Sequence, residues 1–495
     1  MSTVAQYYDS VPYVARCIET TNISYLHALA QLFGLSPTPL TKARILELGC
    51  AGGMNLAPQA ECHPLTQFLG LDISPRQISD AQKLAQDADL TNIQFQVGDI
   101  TQLGKELGPF DFIICHGVLS WVVPEIQPHV LRVCGDVLAP NGLALISYNT
   151  YPGWHQIKGV RDLMMFHGGH IQDPVLKLQT SIDLLETLLG TVPESDVGYR
   201  AALQSELIQL KNSDPGYLMH EQFEADNHPF YIKDVAANAL AAGLTYVADA
   251  QLPSMLTGGL NEDAAKILSA ATDLVQQEQY LDFLRNRRFR SSLFCRTGTP
   301  HDLDIKSETL FALFVTPHLD PIKGSSPAAW TTPSAGTLVA LNPVMEGLCR
   351  AMEENKGRII AMEHLVARAV AKTGETARVA IRKLLADIGP KLVWSGALAP
   401  SAIPSPCAST PSKTPKAFAV ARIAATNSTV IPNSRHQNVS VTDAERAVLS
   451  HCDGTKDSAA IAKLLGGKAR ADDVRMCLQT LSVKGLFLNS PDMSH

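Results

Sequence analysis

Short apolar runs alternate with longer segments whose apolar residues recur every three or four positions over the first 150 residues. The runs are ARILELG, TQFLGLDIS, IQFQVGDI, FDFIICHGV and GLALISYN. Each has strand length and is rich in Ile, Leu and Val, the composition of strands covered on both faces. A helical lead-in from about Ser24 to Phe33 precedes them. SPRQISDAQKLAQDA is an amphipathic helix with Ser74 at its cap and Pro75 at its first position. EIQPHVLRVCGDVL is another. This order predicts an α/β fold with a doubly wound parallel sheet.

After Trp154 the pattern changes. Residues 156–290 read almost wholly as helices, among them VLKLQTSIDLLETLLG, YRAALQSELIQLKN and DAAKILSAATDLVQQEQYLDFLRNRRF, with LTYVADAQLP as a possible strand. The C-terminal third holds something like a repeat. Residues 341–395 and 441–490 each read as three helices and a closing strand, the order of a winged-helix unit. The stretch between them opens on a run rich in Ala, Pro, Ser and Thr and predicts a flexible linker over 398–440. A second soft stretch is KGSSPAAWTTPSAG at 323–336.

Composition narrows the class. A chain of 495 residues allows roughly three domains. The apolar fraction of 45% and charged fraction of 18% are those of a globular protein. A net charge of −7 argues against a general binder of nucleic acid or of anionic membranes. The ten cysteines include no CxxC pair, and Cys115 lies inside an apolar run, so reduced core thiols are expected. No basic-then-apolar leader and no run of 18 apolar residues occur, which predicts a cytoplasmic chain without a membrane span.

The sharpest chemical signal is ILELGCAGG. Glu47 sits inside the strand, and Gly49, Gly52 and Gly53 follow where the chain must turn into a helix and let a ligand approach. Asp72 ends the next strand, 23 residues after Gly49, where a carboxylate can accept from ribose hydroxyls. Asp99 ends the third, where a side chain can meet an adenine edge. Each piece has a plainer reading: Asp72 as a helix cap, Asp99 as a loop carboxylate, the turn as a dinucleotide site. Together, a Glu two residues before the first Gly and an acid on the third strand suit S-adenosylmethionine better than NAD.

ELGCAGG, LGLDIS, VGDI and FDFIICHGVLSWV resemble the motifs of class I S-adenosylmethionine-dependent methyltransferases, with Ala51 in place of the middle glycine. YYDSVPY, ICHGVLSWV, YNTYPGWH, YLMHEQFEADNHPFYIKDVAANALAAGLTYVADAQLP and EQYLDFLRNRRFRSSLFCR are similar to bacterial methyltransferases that carry a methyltransferase regulatory domain. That group includes rickettsial protein-lysine methyltransferases. The resemblance covers residues 1–296 and implies a Rossmann-like methyltransferase domain at 1–155 and a helical regulatory or substrate region at 156–300. Winged-helix-like units at 301–397 and 441–495 complete the expected order.

The resemblance implies cofactor contacts from Glu47, Gly49, Gly53, Asp72, Ile73, Asp99, Ile100 and His116, and methyl transfer to a protein lysine. Only roughly one lysine in a few thousand is neutral at pH 7, so the acceptor needs an aromatic, desolvating pocket. His116, Asn149, Tyr151 and Trp154 are the catalytic candidates, with Trp154 as a lid or substrate wall. Tyr13, Trp121, Tyr217, His220 and Tyr231 are the substrate-side candidates, and Tyr7 and Tyr8 share the N-terminal arm with Tyr13. His220, Glu221 and His228 lack the HExxH spacing of a metal site, so no metal is expected. NRRFR (286–290) reads as a solvated helix end or a docking patch. The third helices of the winged-helix units carry few bases, which favours a protein partner over nucleic acid. A small-molecule methyltransferase with an enclosed pocket, a scaffold without activity, and a dehydrogenase remain as other readings.

Overall fold

The computed structural model describes residues 16–408, 410–466 and 470–488. Strands β1 (Arg44–Leu48), β2 (Gln67–Asp72), β3 (Ile93–Val97), β4 (Phe110–Cys115) and β5 (Leu138–Asn149) form a parallel sheet. Helices α1 (Ile23–Leu32), α2 (Ala57–Cys62), α3 (Pro75–Asp87) and α4 (Gln127–Val137) lie before and between them. The Ser74 hydroxyl caps α3 by accepting from the Gln77 N–H at 3.2 Å. Successive residues of the inner strands enter opposite apolar layers: Ile45, Phe112 and Ile114 join one, Leu46, Ile113 and Cys115 the other. Both faces are therefore covered, which is why these strands read as unbroken apolar runs.

Four helices follow β5: α5 (Gly153–Gly168), α6 (Pro174–Thr191), α7 (Val197–Asn212) and α8 (Pro215–Phe223). Then come α9 (Ile232–Ala241), β6 (Leu244–Asp249), α10 (Glu262–Ser269), α11 (Leu274–Arg285) and β7 (Phe289–Arg296). Strand β7 enters the sheet antiparallel between β5 and β6, giving the order β3-β2-β1-β4-β5-β7-β6. The helical region thus donates two strands, one of them where a helix end was expected. Strand β7 is buried throughout its middle, yet Arg290, Ser291 and Ser292 disguise it as polar. Arg290 is tolerated there because it pairs with Asp282 and Glu278, and Ser292 because its hydroxyl lies 2.9 Å from that of Tyr148.

Beyond a short helix α12 (Ser307–Phe311), strands β8 (Phe314–Pro317), β9 (Asp320–Pro321), β10 (Ala329–Thr331) and β11 (Thr337–Val339) cross the soft stretch, where Trp330 is buried. Helices α13 (Pro343–Glu354), α14 (Met362–Thr373) and α15 (Arg378–Trp394) follow, with β12 (Ile360–Ala361) pairing β8, and β8 pairing β13 (Leu398–Ser401). This is a three-helix unit with a small sheet.

Residues 398–440 are not a flexible linker. They contain β13, α16 (Ala419–Ala424) and the hairpin β14 (Val430–Pro432) with β15 (Asn438–Ser440). Phe418, Val420 and Ile431 are fully buried there, in one apolar cluster with Ala57, Leu84 and Ala88 of the first domain. The small-residue run suggested slack, but the apolar residues that follow it are the ones that pack. Helices α17 (Asp443–Leu449), α18 (Ser458–Leu464) and α19 (Ala471–Val483) close the described chain. No helix of the described residues is long and apolar enough to cross a membrane. All ten cysteines are unpaired thiols.

Candidate active site

The carboxyl ends of β1 and β2 form one side of the site. Gly49 and Gly53 have φ of +74° and +76°. A Cβ on Gly49 would lie 2.5 Å from Val118 Cγ2, and one on Gly53 2.7 Å from Phe95 Cζ, so neither position admits a side chain. Ala51 takes φ +46°, a left-handed conformation that costs about 1–2 kcal/mol for an L-residue. Its N–H donates to Asp72 Oδ2 at 2.9 Å, which offsets part of that cost. The Ser74 N–H donates to Asp72 Oδ1 at 2.9 Å, so two backbone groups orient this carboxylate.

Glu47 is 3% exposed and lies in register with Gly70 of β2 and Ile114 of β4, at the point where the strand order reverses. Asn55 Nδ2 donates to its Oε1 at 2.6 Å, while Oε2 is buried with no hydrogen-bond partner. Burial raises its carboxyl most, the Asn55 amide lowers it and the Asp72 charge raises it again, leaving it at about 8. A buried carboxyl oxygen left unbonded costs about 1–3 kcal/mol, and a ligand ammonium would remove that cost. Asp99 turns back on its own loop: Oδ1 accepts from the Thr101 N–H at 2.9 Å and the Thr101 hydroxyl at 2.8 Å. Ile73 and Ile100 are half-buried beside these acids.

The other side is aromatic. His116 follows β4, half-buried, with its ring centroid 5.5 Å from that of Phe289. Burial pushes its imidazole down to about 4, so it is neutral at pH 7. Past the end of β5, Tyr151 stacks on His155 with centroids 4.1 Å apart and lies 5.2 Å from Tyr231, which lies 5.8 Å from Phe283. The Tyr231 hydroxyl is 3.1 Å from His155 Nε2. His155 and Phe283 are exposed, so the cluster faces outward. Backbone bonds bring these segments together: the Tyr151 N–H donates to the Phe230 carbonyl and the Thr150 N–H to the Arg288 carbonyl, each at 2.9 Å. Asn149 is buried, with Nδ2 3.4 Å from Asn227 Oδ1.

Comparison with known proteins decides what this arrangement belongs to. Residues 45–142 match the family described as "Methyltransferase domain", residues 214–296 the "Predicted methyltransferase regulatory domain", and residues 413–481 the "PKMT, C-terminal winged helix domain". Uncharacterized protein RP789 of Rickettsia prowazekii is 30% identical over 490 residues, 96% of this chain and 88% of that protein. PKMT2 from Rickettsia typhi superposes with a TM-score of 0.86 at 28% identity, covering 97% of this chain and 100% of that one. The same rickettsial protein, solved with AdoHcy, gives 0.85.

The chain belongs to this methyltransferase family. Its cofactor is S-adenosylmethionine, which fits a site with a buried, half-satisfied carboxyl in Glu47 and a backbone-held carboxylate in Asp72. The same rickettsial resemblance was visible in the sequence motifs.

Trp154, expected as a lid or wall, is 2% exposed at the start of α5 and belongs to the interior. The turn before it is at the surface, but the helix carries the indole inward. His220 is buried on α8, with Nδ1 3.8 Å from Glu224 Oε2. Tyr217 sits at the exposed first turn of the same helix. Trp121 is half-buried in the turn after β4. Tyr7, Tyr8 and Tyr13 lie outside the described residues. Among the described residues no group of three or more His, Cys, Asp or Glu is placed to hold a metal. His155, Phe283, Phe289 and Asn55 were not read as site residues; the aromatic character of YPGWH and LDFLRNRRF was the available signal.

The NRRFR cluster is neither a solvated helix end nor a docking patch. Arg290 is fully buried and grips Asp282 with Nε and Nη2 at 2.9 and 2.7 Å, and Glu278 Oε2 at 2.9 Å. Arg287 is nearly buried against Asp249, Glu278 and Asp282. Glu278 and Asp282 stand one turn apart on α11, so both face β7. This network locks the aromatic segment 283–289 between helix and sheet.

Proposed function

We propose that this methyltransferase transfers methyl groups to lysine side chains of a protein substrate. The observation that carries the reading is the outward-facing cluster of Tyr151, His155, Tyr231 and Phe283 beside the cofactor edge of the sheet. Aromatic faces attract ammonium and methylammonium groups, and an exposed cluster admits a side chain that is still attached to a protein. When bound, S-adenosylmethionine supplies the activated methyl group. Glu47 would hold its amino-acid end and Asp72 its ribose. The chain's remaining task is to desolvate and orient the amine. Tyr231 and Phe283 exclude water from it, which favours the neutral amine, and His116, neutral at physiological pH, offers a ring nitrogen as hydrogen-bond acceptor to that neutral amine, whose proton leaves to solvent. The PKMT name of the superposable rickettsial protein supports the same acceptor class. The ten thiols fit a cytoplasmic setting.

The test is methyl transfer from labelled S-adenosylmethionine into lysine-rich protein acceptors, beside the same acceptors with lysines blocked by acetylation. Label found on lysine, and lost on blocking, supports the reading. Label that persists on blocked protein, or that enters only small metabolites, overturns it.

A further inference from the structure

The β14–β15 hairpin lies far along the chain from the ELGCAGG turn, yet its tip reaches Asn55, the hydrogen-bond partner of Glu47. The tip is built by Asn433, fully buried, whose Oδ1 accepts from the N–H groups of Arg435 and Gln437 at 2.9 and 3.0 Å. This turn holds His436 at φ +61°, a strained conformation for a residue with a side chain. His436 is 3% exposed, and its Nε2 lies 2.9 Å from Asn55 Oδ1.

Asn55 is the residue whose amide nitrogen donates to Glu47. Its orientation is not free. The backbone N–H of Ile18 can only donate, and it points at Asn55 Oδ1 from 2.9 Å. The Thr21 hydroxyl approaches the same oxygen at 3.0 Å. With His436 as a further donor, the amide oxygen faces the N-terminal arm and the hairpin, and the NH2 group must face Glu47. Burial keeps His436 neutral, pushing it down to about 3; because the Asn55 oxygen can only accept, the single ring proton sits on Nε2 and Nδ1 stays bare. The hairpin grips the arm as well: Asn438 exchanges hydrogen bonds with the Cys17 backbone at 2.7 and 3.2 Å.

We infer that His436 is a positioning residue of the cofactor site, acting through Asn55 to aim Glu47, so that the C-terminal winged-helix unit is part of the cofactor-binding machinery. Glu47 Oε1 is committed to Asn55, and Oε2 is thereby presented to the ligand. Loss of the His436 donor leaves the Ile18 N–H and the Thr21 hydroxyl to hold the Asn55 oxygen, so the amide is aimed less firmly at Glu47.

The inference rests on the cofactor assignment and not on the acceptor, so the readout is calorimetric titration of the full chain with S-adenosylhomocysteine. His436→Phe keeps the ring's bulk and removes the donor; His436→Ala removes both. Each is expected to weaken binding by on the order of tenfold, the value of one well-placed hydrogen bond. His436→Gln places an amide N–H near the position of Nε2 and is expected to restore affinity to within about threefold of wild type. With any accepted methyl acceptor, the Phe variant raises KM for S-adenosylmethionine while kcat at saturating cofactor stays near wild type. Wild-type affinity in the Phe variant would overturn the inference. So would a Gln variant as weak as Phe, since only packing would then be at stake.

Discussion

The cofactor side of the site draws Glu47, Gly49, Ala51, Gly53, Asn55 and Asp72 from one short stretch of chain, residues 47–72. The aromatic side collects Tyr151 and His155 at the exit of β5, Tyr231 ahead of α9, Phe283 on α11 and Phe289 at the start of β7. The first is polar, buried and held by backbone N–H groups and one amide. The second is aromatic, outward-facing and flanked by a buried ion network through Asp282 and Arg290, the chain neighbours of Phe283 and Phe289. A cofactor of fixed shape can be met by one local motif. An acceptor that arrives on another protein needs an accessible surface, and such a surface stays rigid only if the elements beneath it are tied together.

That comparison can be broken from its aromatic side first. Arg290→Met leaves Asp282 and Glu278 buried without their main partner and is expected to cost about 3–5 kcal/mol of stability. Denaturant unfolding followed by the calorimetric transition measures it; a loss under about 1 kcal/mol would mean that the network does not hold the layer. On the cofactor side, Asp72→Ala should weaken S-adenosylhomocysteine binding by about 1–3 kcal/mol, because a charge-assisted acceptor and the anchor of the Ala51 turn are lost together. Near-wild-type affinity would remove Asp72 from the ribose role.

The two sides should also separate. Tyr231→Ala is expected to lower kcat/KM for a lysine acceptor by about tenfold, roughly the loss of one desolvated cation–π contact, with cofactor affinity unchanged. A parallel fall in cofactor affinity would show that the halves are not independent. The smallest effect concerns Glu47. With its carboxyl raised to about 8, it is protonated at pH 7 in the free protein. An ammonium against Oε2 favours the charged form, so cofactor binding at pH 7 should release about one proton. Titration in buffers of different ionisation heat measures the release, and Glu47→Gln should abolish it. The same raised value makes the cofactor-free fold lose stability as pH climbs from the ordinary carboxyl range to about 8, since the folded state holds a proton there that the unfolded chain does not.

Much of the first domain was legible because its signals are local. The five apolar runs became β1 to β5, and Ser74 and Pro75 begin α3 as their types require. Glu47 and Asp72 reached the carboxyl ends of their strands because one strand stops at the glycine turn and the other at the Ser74–Pro75 helix start. Local signals failed where a residue's meaning depends on a distant partner. Arg287 and Arg290 read as solvent-facing until Glu278, Asp282 and Asp249 were placed around them. Trp154 read as a lid because its turn is at the surface, although α5 carries it inward. Residues 398–440 read as slack because small side chains give no periodicity, and only the apolar surface of α2 and α3 shows what they pack against.

By itself the sequence determined the parallel sheet, the glycine turn, the pair of acids at the strand ends and the resemblance that follows from them. These depend on hydrophobic period and backbone conformation over a few residues at a time. The tertiary structure decided which aromatic rings meet, that strands β6 and β7 complete the sheet, and that His436 reaches Asn55 from the far end of the chain. Those outcomes depend on long-range burial, where a polar or aromatic side chain takes its role from whatever the fold sets against it.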